Sequence, residues 1–418
     1  MGILKALRAW KQSRRKTQPA EKEQCKPDDR ELQYRIETRG QAPAEERAAG
    51  PPPAPQSGGN GGKDTETKPP PGESGPDAPQ PPSAGKGKRE CTWSIVGEEK
   101  LLGGTGTGTL EQALAQIERL GKTAGIVGVT LNLHEDIVLD HTCILNHPTT
   151  ISGVCTMRRA PGFGGPLLET CNLAALRGVT LDGAGVPAAG PLVKVRQGTL
   201  AVLDARLTDN HSRADGGAVL ADAGAQGGGD ISVILSSGAV IERCSSQGRG
   251  GAVFLNAPQA PGGRGAELTI GAARLTRNRA ASGGAVYAAG KNAAVTAEDP
   301  EGLLEENEAV NGNGGAICAE HVERLMVDGA VFARNRAPRG CGGAIYAAGD
   351  GAVRLTEQKP VEFCENHANV GGAVFLAGNR PAQATQNRPG RMLFSGNTAR
   401  TQGNAIYVCG GAGGPFEK

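Results

Sequence analysis

Residues 332–349 read FARNRAPRGCGGAIYAAG, and the order of residue types in this stretch decides the fold. Phe332 is followed three positions later by Asn335. After six intervening residues come Gly342 and Gly343, then Ala344 and the apolar pair Ile345 and Tyr346. Working outward, the same string recurs on both sides. GGA stands at 216–218, 250–252, 283–285, 314–316, 342–344 and 371–373, and a degraded copy, GNA, at 403–405. Successive copies start 34, 33, 31, 28, 29 and 32 residues apart. The preceding element, an apolar residue and then Asn three positions later, reads Leu207/Asn210, Leu275/Asn278, Leu304/Asn307, Phe332/Asn335, Phe363/Asn366 and Phe394/Asn397. One copy departs: Ile241 is followed by Cys244 where Asn is expected.

A repeat whose motifs hold while its spacing wavers predicts a solenoid, in which the coil is fixed and the loops leaving it vary. The paired glycines (Gly216 and Gly217, Gly250 and Gly251, Gly283 and Gly284, Gly314 and Gly315, Gly342 and Gly343, Gly371 and Gly372) permit a sharp corner and close approach of neighbouring backbones. Asn and Gly tolerate positive φ at a turn. Asn repeated at one turn of every coil can also hydrogen-bond along the stack, as amide ladders do. Ala-Val/Ile followed by a large apolar residue suits a short strand. The composition agrees: 65 of 418 residues are Gly, about twice the ordinary share, and aromatics are 3%, so apolar burial must come in thin, regular layers. Leucine-rich and ankyrin frames are missing, and each repeat offers too few strands for a propeller blade. The expected fold is all-β: a right-handed single-stranded parallel β-helix of about ten coils over 126–418, with an N-terminal cap helix and a disordered N-terminal tail.

Within 91–125, residues 110–120 (LEQALAQIERL) place Leu110, Leu114, Ile117 and Leu120 on one helical face behind Thr109 as N-cap. That helix is expected to cap the open end of the solenoid. Strands are expected at 126–133, 137–139, 149–151 and 178–181. Residues 17–90 read as a disordered linker; 41–90 hold 12 prolines, 9 glycines and no aromatic residue. Residues 1–16 carry six basic residues and no acidic one, with Ile3, Leu4, Leu7 and Trp10 on one side of a short amphipathic helix. Such a segment suits an anionic membrane surface or simply begins a solvated tail.

The GGA[VI] and FxxN elements together resemble the passenger repeats of the chlamydial polymorphic outer-membrane proteins, over residues 207–406. The resemblance implies a pectin-lyase-like right-handed β-helix displayed at a cell surface, with adhesion and virulence roles. That family is exported by a signal peptide and anchored by a C-terminal β-barrel. Here the first residues form no apolar signal core, and GGAGGPFEK follows the last repeat. The expectation is that the fold carries over and the export route does not.

Chemistry is sparse. The formal charge of +2 divides into +4 over residues 1–90 and −2 over the remainder, which gives the folded part no net basic charge for nucleic acid. Aromatic stacking platforms for nucleic acid are missing as well. The ten cysteines include no CxxC, so free thiols are expected, with cross-links if the chain is exported. His141, Cys143 and His147 have a faint metal-ligand spacing but read as an ordinary strand and turn. The sequence at 103–108, GGTGTG, reads as a flexible entry to the helix, because no strongly apolar strand precedes it and Gln116 occupies the position a phosphate loop gives to Gly. Among carboxylates, Asp204 and Asp209 with Arg206 come nearest to a catalytic grouping, in a repeat whose other copies lack them. Asn210-His211-Ser212 matches a glycosylation sequon. No catalytic residue, cofactor or metal is expected.

Three readings follow. The first is a non-enzymatic surface or secreted protein, adhesin- or effector-like. It would bind a protein or glycan through variable loops at 222–230, 256–265, 290–301 and 378–390. The second is an intracellular, cytoplasmic or membrane-associated scaffold tethered by residues 1–16. The third is a polysaccharide lyase or hydrolase.

Overall fold

The computed structural model describes residues 89–97, 101–122, 125–225, 228–258, 263–355, 358–378 and 392–409. The basic segment with Ile3, Leu4, Leu7 and Trp10, and the linker up to residue 88, lie outside them. The chain is an all-β parallel solenoid whose turns pass through four sheets in order. In one turn the strands are Gly198–Leu203 (sheet 1), Arg206–Thr208 (sheet 2), His211–Ser212 (sheet 3) and Val219–Asp222 (sheet 4). The next turn lays its strands on these in parallel register: Val233 on Leu200, Ile241 on Leu207, Ser245 on His211 and Val253 on Val219. Sheets 2 and 4 have ten strands and sheet 3 has eight. About eight turns therefore carry the corner strand of sheet 3, which corrects the expectation of ten like coils. The first turn passes from Ile137–Leu139 to Cys143–Leu145 too quickly to hold a corner strand, and no FxxN-GGA pair occurs there.

The N-terminal end is built differently. Sheet 1 opens with two antiparallel pairings, Cys91–Gly97 lying between Leu101–Gly108 and Ile126–Leu133. Helix α1 (Leu110–Gly121) packs its buried Leu110, Ala113 and Ile117 against them. Thr109 accepts from the Gln112 amide while the Gln112 side chain accepts from the Thr109 amide, a reciprocal cap. The stretch at 103–108 is thus part of a strand rather than a flexible entry. Its glycines make room for an indole: a Cβ on Gly106 would stand 2.0 Å from the Trp93 ring.

Inside, each FxxN motif sends its first residue to the core. Leu207, Ile241, Leu275, Leu304, Phe332 and Phe363 are fully buried and stack turn upon turn. The Phe332, Phe363 and Phe394 rings lie 5.1 and 5.0 Å apart. Burying one such side chain contributes about 1.5–3 kcal/mol.

The asparagines are buried too, and they run as a ladder. The Asn278 side-chain amide donates to Asn307 Oδ1 at 3.1 Å, Asn307 to Asn335 at 3.0 Å, Asn335 to Asn366 at 3.0 Å and Asn366 to Asn397 at 2.9 Å. Each Oδ1 also accepts the backbone N–H of the Asn before it, and each Nδ2 returns to the carbonyl of the apolar residue one turn back. The left-handed residue of this turn is not the Asn. It is the residue just before it: Asp209, Arg243, Arg277, Glu306, Arg334 and Glu365 all have φ between 50° and 56°. The ladder starts at Asn210, whose Oδ1 accepts from the buried Arg159 guanidinium at 3.0 Å. Arg159 also donates to the carbonyls of Phe163, Gly165 and Pro191, so backbone oxygens rather than a carboxylate hold this charge. Cys244 interrupts the ladder. Its N–H reaches Asn278 Oδ1, but its thiol makes only long contacts to the Leu207 and Glu242 carbonyls, and burial pushes its pKa up to about 12.

At the second corner the two glycines divide the work. The first of each pair has positive φ, from 62° at Gly283 to 76° at Gly216. The second faces the next turn at backbone distance: a Cβ on Gly315 would lie 2.0 Å from the Gly343 carbonyl oxygen and 2.5 Å from the Arg336 nitrogen.

Two results are expected in urea unfolding. Asn307→Ala strands several buried polar groups and should cost on the order of 3 kcal/mol, whereas Cys244→Asn, which completes the ladder, should raise stability by about 1 kcal/mol. An equal loss from both would show that the ladder does not set the register. Gly315→Ala should be as damaging as Asn307→Ala, about 3 kcal/mol or more, because rigid backbone meets the new methyl; a thermal midpoint like that of the unaltered chain would refute the close-approach role.

Candidate binding faces

The solvent side of the Asn turn is a column of charges, one per coil, crossing from turn to turn. Arg243 grips Asp209 with two bonds of 2.8 Å, Arg277 reaches Glu306 at 2.6 Å, and Arg334 contacts both Glu305 and Glu306. The hydrogen bond from Arg243 holds the Asp209 carboxyl below the usual range, and that from Arg277 does the same for Glu306. A depressed folded pKa gives stability that is present above the ordinary carboxylate pKa and lost as pH falls through the depressed value. Both carboxylates are about one-third exposed, so each pair contributes under about 1 kcal/mol.

This column settles where the sequence candidates lie. Asp209 is committed to Arg243, and Arg206 to Glu242 at 2.5 Å. Asp204 sits at a separate left-handed turn. The three do not converge on one reacting position. Cys143 faces the core with its pKa pushed up to about 12 by burial, while His141 is exposed and bonded to Asp140 at 2.6 Å. Asn210 is fully buried, which closes the sequon to a glycosyl donor. The nine described cysteines are free thiols.

A larger constellation escaped the sequence reading. On the outer side of sheet 4 a column runs Leu220, Phe254, Tyr287, Cys318, Tyr346, Phe375 and Tyr407 in unbroken register. Phe254 and Tyr287 stack at 5.7 Å, and Tyr346, Phe375 and Tyr407 at 5.4 Å per step. Arg249 lies 4.9 Å from the centres of both the Phe254 and Tyr287 rings, is paired with Asp215 at 2.8 Å, and donates to the Tyr287 hydroxyl. That hydroxyl donates to Glu320 at 2.6 Å. The signal was present: Asp215 and Arg249 each stand directly before a GGA, and Tyr287 and Cys318 follow GGAV and GGAI. With Phe254 at 3%, Tyr287 at 4% and Cys318 at 0% exposure, a substrate has no access, and the network acts as a brace.

The variable loops leave the coil at one edge, between sheet 4 and sheet 1. The connections at 290–292, 321–323 and 349–351 have three residues, but those at 223–230 and 257–265 are long, and they belong to adjacent turns. Their bases are laced together: Asn256 donates to Asp222 at 2.8 Å, and the Gly265 amide to Asp230 at 2.8 Å. The expected loop at 290–301 contains a sheet 1 strand, Ala293–Ala297, whose five small residues are all buried. Most of 378–390 lies outside the described residues. On the same edge, a small cavity of about 30 Å³ is lined only by Ala, Val, Leu and Gly, among them Val353, Leu376 and Val408. Nothing in that lining titrates.

Residues 391–409 match the Chlamydia polymorphic membrane protein repeat. The chain carries that repeat. The matched stretch is the last copy, with Phe394, Asn397 and the Gly403 corner. The polymorphic membrane protein repeat and the parallel solenoid together fit the resemblance drawn from the paired GGA and FxxN motifs. No curated protein and no solved structure matches the chain.

Acid titration tests the charge column. Stability should fall as pH drops below about 4, and Asp209→Asn should flatten part of that fall while lowering stability at neutral pH by under about 1 kcal/mol. An unchanged acid profile would show the pairs to be energetically idle.

Proposed function

We propose that this protein is a non-enzymatic repeat scaffold, surface-exposed or secreted, that binds a protein or glycan in the manner of an adhesin or effector. The observation that carries this reading is the pair of long connections, 223–230 and 257–265, stacked on adjacent turns with their bases pinned. A rigid coil that projects two adjoining loops offers a surface of adjustable chemistry on a constant frame. The separate engagement of Asp209, Arg206 and Asp204 supports binding over polysaccharide cleavage.

Replacing both loops by the three-residue connection Gly-Lys-Asn found at 290–292 tests the reading on the full chain. Retention of the labelled protein on intact epithelial cells should fall at least tenfold while the thermal midpoint stays within a few degrees. Undiminished retention by a folded variant would overturn the role of the loops. The amphipathic pattern of Ile3, Leu4, Leu7 and Trp10 favours a second reading, attachment to an anionic membrane. Flotation with phosphatidylserine-containing vesicles should then be lost in a Trp10→Glu variant, and equal flotation would remove that role.

A further inference from the structure

The charge column changes character toward its C-terminal end. Over the earlier turns, arginine after arginine meets a carboxylate: Arg206 with Glu242, Arg243 with Asp209, Arg249 with Asp215, Arg277 with Glu306, Arg279 with Glu308 and Arg334 with Glu305. Arg177, Arg213 and Arg274 are exposed earlier arginines that form no ion pair among the described residues, and three more gather in the last turns. Arg336 and Arg400 are exposed and form no ion pair among the described residues, and Arg339, also exposed, bonds only the neutral side chain of Asn311. All three lie on or beside sheet 3, where Arg336, His367 and Thr398 stand in register on consecutive strands. Arg336 and Arg339 share one strand and Arg400 lies two strands further along the axis, each step of this short strip being ~4.8 Å, with His367 on the strand between them. His367 donates to or accepts from Thr398 Oγ1 at 2.9 Å. Burial first, and then Arg336 and Arg400, holds its imidazole below the ordinary value. Two carboxylates face this strip: Glu308 stands in register beside Arg336 but forms its ion pair with Arg279, and exposed Glu365 lies across the Asn turn beside Gly396.

We propose that this strip binds an extended polyanionic glycan, its sulfate or carboxylate groups received by Arg336, Arg339 and Arg400. Guanidinium presents paired donors that match such groups bidentately. An extended polysaccharide with recurring anionic groups can bridge Arg336 and Arg339 on one turn to Arg400, two strand spacings or roughly 10 Å away. The aromatic column on sheet 4 argues against single-stranded nucleic acid, because its ring faces are spent on one another and only edges meet solvent. This inference concerns a different face from the long loops and stands apart from them.

The test uses the full chain with Lys5, Arg8, Lys11, Arg14, Arg15 and Lys16 changed to Gln, so that the basic N-terminal segment does not contribute. Heparin and polygalacturonate are the probes, with neutral dextran and a short DNA duplex for comparison. The combined Arg336→Gln, Arg339→Gln and Arg400→Gln variant should lose at least tenfold in heparin affinity and show a shallower salt dependence. Arg119→Gln, Arg177→Gln and Arg274→Gln, an equal charge change elsewhere, should alter affinity less than twofold. Equal losses in the two triple variants, no heparin binding, or tighter binding of DNA would each overturn the proposal. If heparin binding fails while loop-dependent cell retention persists, this strip alone is refuted; the reverse result refutes the loops and leaves the strip.

Discussion

A chain that bends sharply inside a protein must satisfy the peptide groups at the bend without water, since a buried unpaired amide costs about 1–3 kcal/mol. In this solenoid the Asn of the following turn does that work. Its Oδ1 takes the N–H at the bend and its Nδ2 the carbonyl of the apolar residue three positions earlier. One side chain thereby fixes the position of its neighbour's corner in two directions. The opposite corner has no side chain at all: the Gly-Gly step brings carbonyl and amide of successive turns together at a distance no Cβ could share. Between two such corners the register is over-determined, and the connections at the remaining edge are free to differ in length.

The outer columns follow from that register. Once every turn repeats its frame, any residue type recurring at one position becomes a stack, and its neighbours along the axis are its own kind. Aromatic residues then cover one another's faces, as Tyr346, Phe375 and Tyr407 do. Charged residues of one sign would repel, and the sequence mixes the signs, with only Arg243 and Arg277 as like neighbours: Asp209, Arg243, Arg277, Glu306, Arg334 and Glu365. The self-stacking that stabilises the exterior also removes aromatic faces from the surface.

The two corners were legible in the sequence because each demands a residue type that little else replaces, Gly for close approach and Asn for a two-way amide. The identity of the left-handed residue was not, because charged residues fill its column in every copy before the last, where Gly396 takes the place. Strand Leu101–Gly108 was hidden for a related reason: glycines that accommodate Trp93 look like a flexible segment until the indole is placed above them. Ala293–Ala297 has small side chains and no turn signals of its own, so it passed for loop. The Asp215–Arg249–Tyr287–Glu320 brace draws one residue from each of four repeats, and only stacking brings its members together.

The interruption at Cys244 shows how the frame tolerates a missing rung. The junction between the Asn210 turn and the Cys244 turn lacks the ladder's amide, yet it is the most heavily cross-linked by other polar groups. Arg243 meets Asp209, Arg206 meets Glu242, Arg249 meets Asp215, His211 meets Ser245 at 2.8 Å, and Asn256 and Gly265 fasten the two long loops to Asp222 and Asp230. Singly these half-exposed contacts are weak. Their concentration at one junction holds register where the amide does not, and places the most side-chain-dependent step of the solenoid directly beneath the paired loops. A junction held by side chains rather than by the buried amide can change its sequence without losing the coil, which is the property a variable binding edge requires.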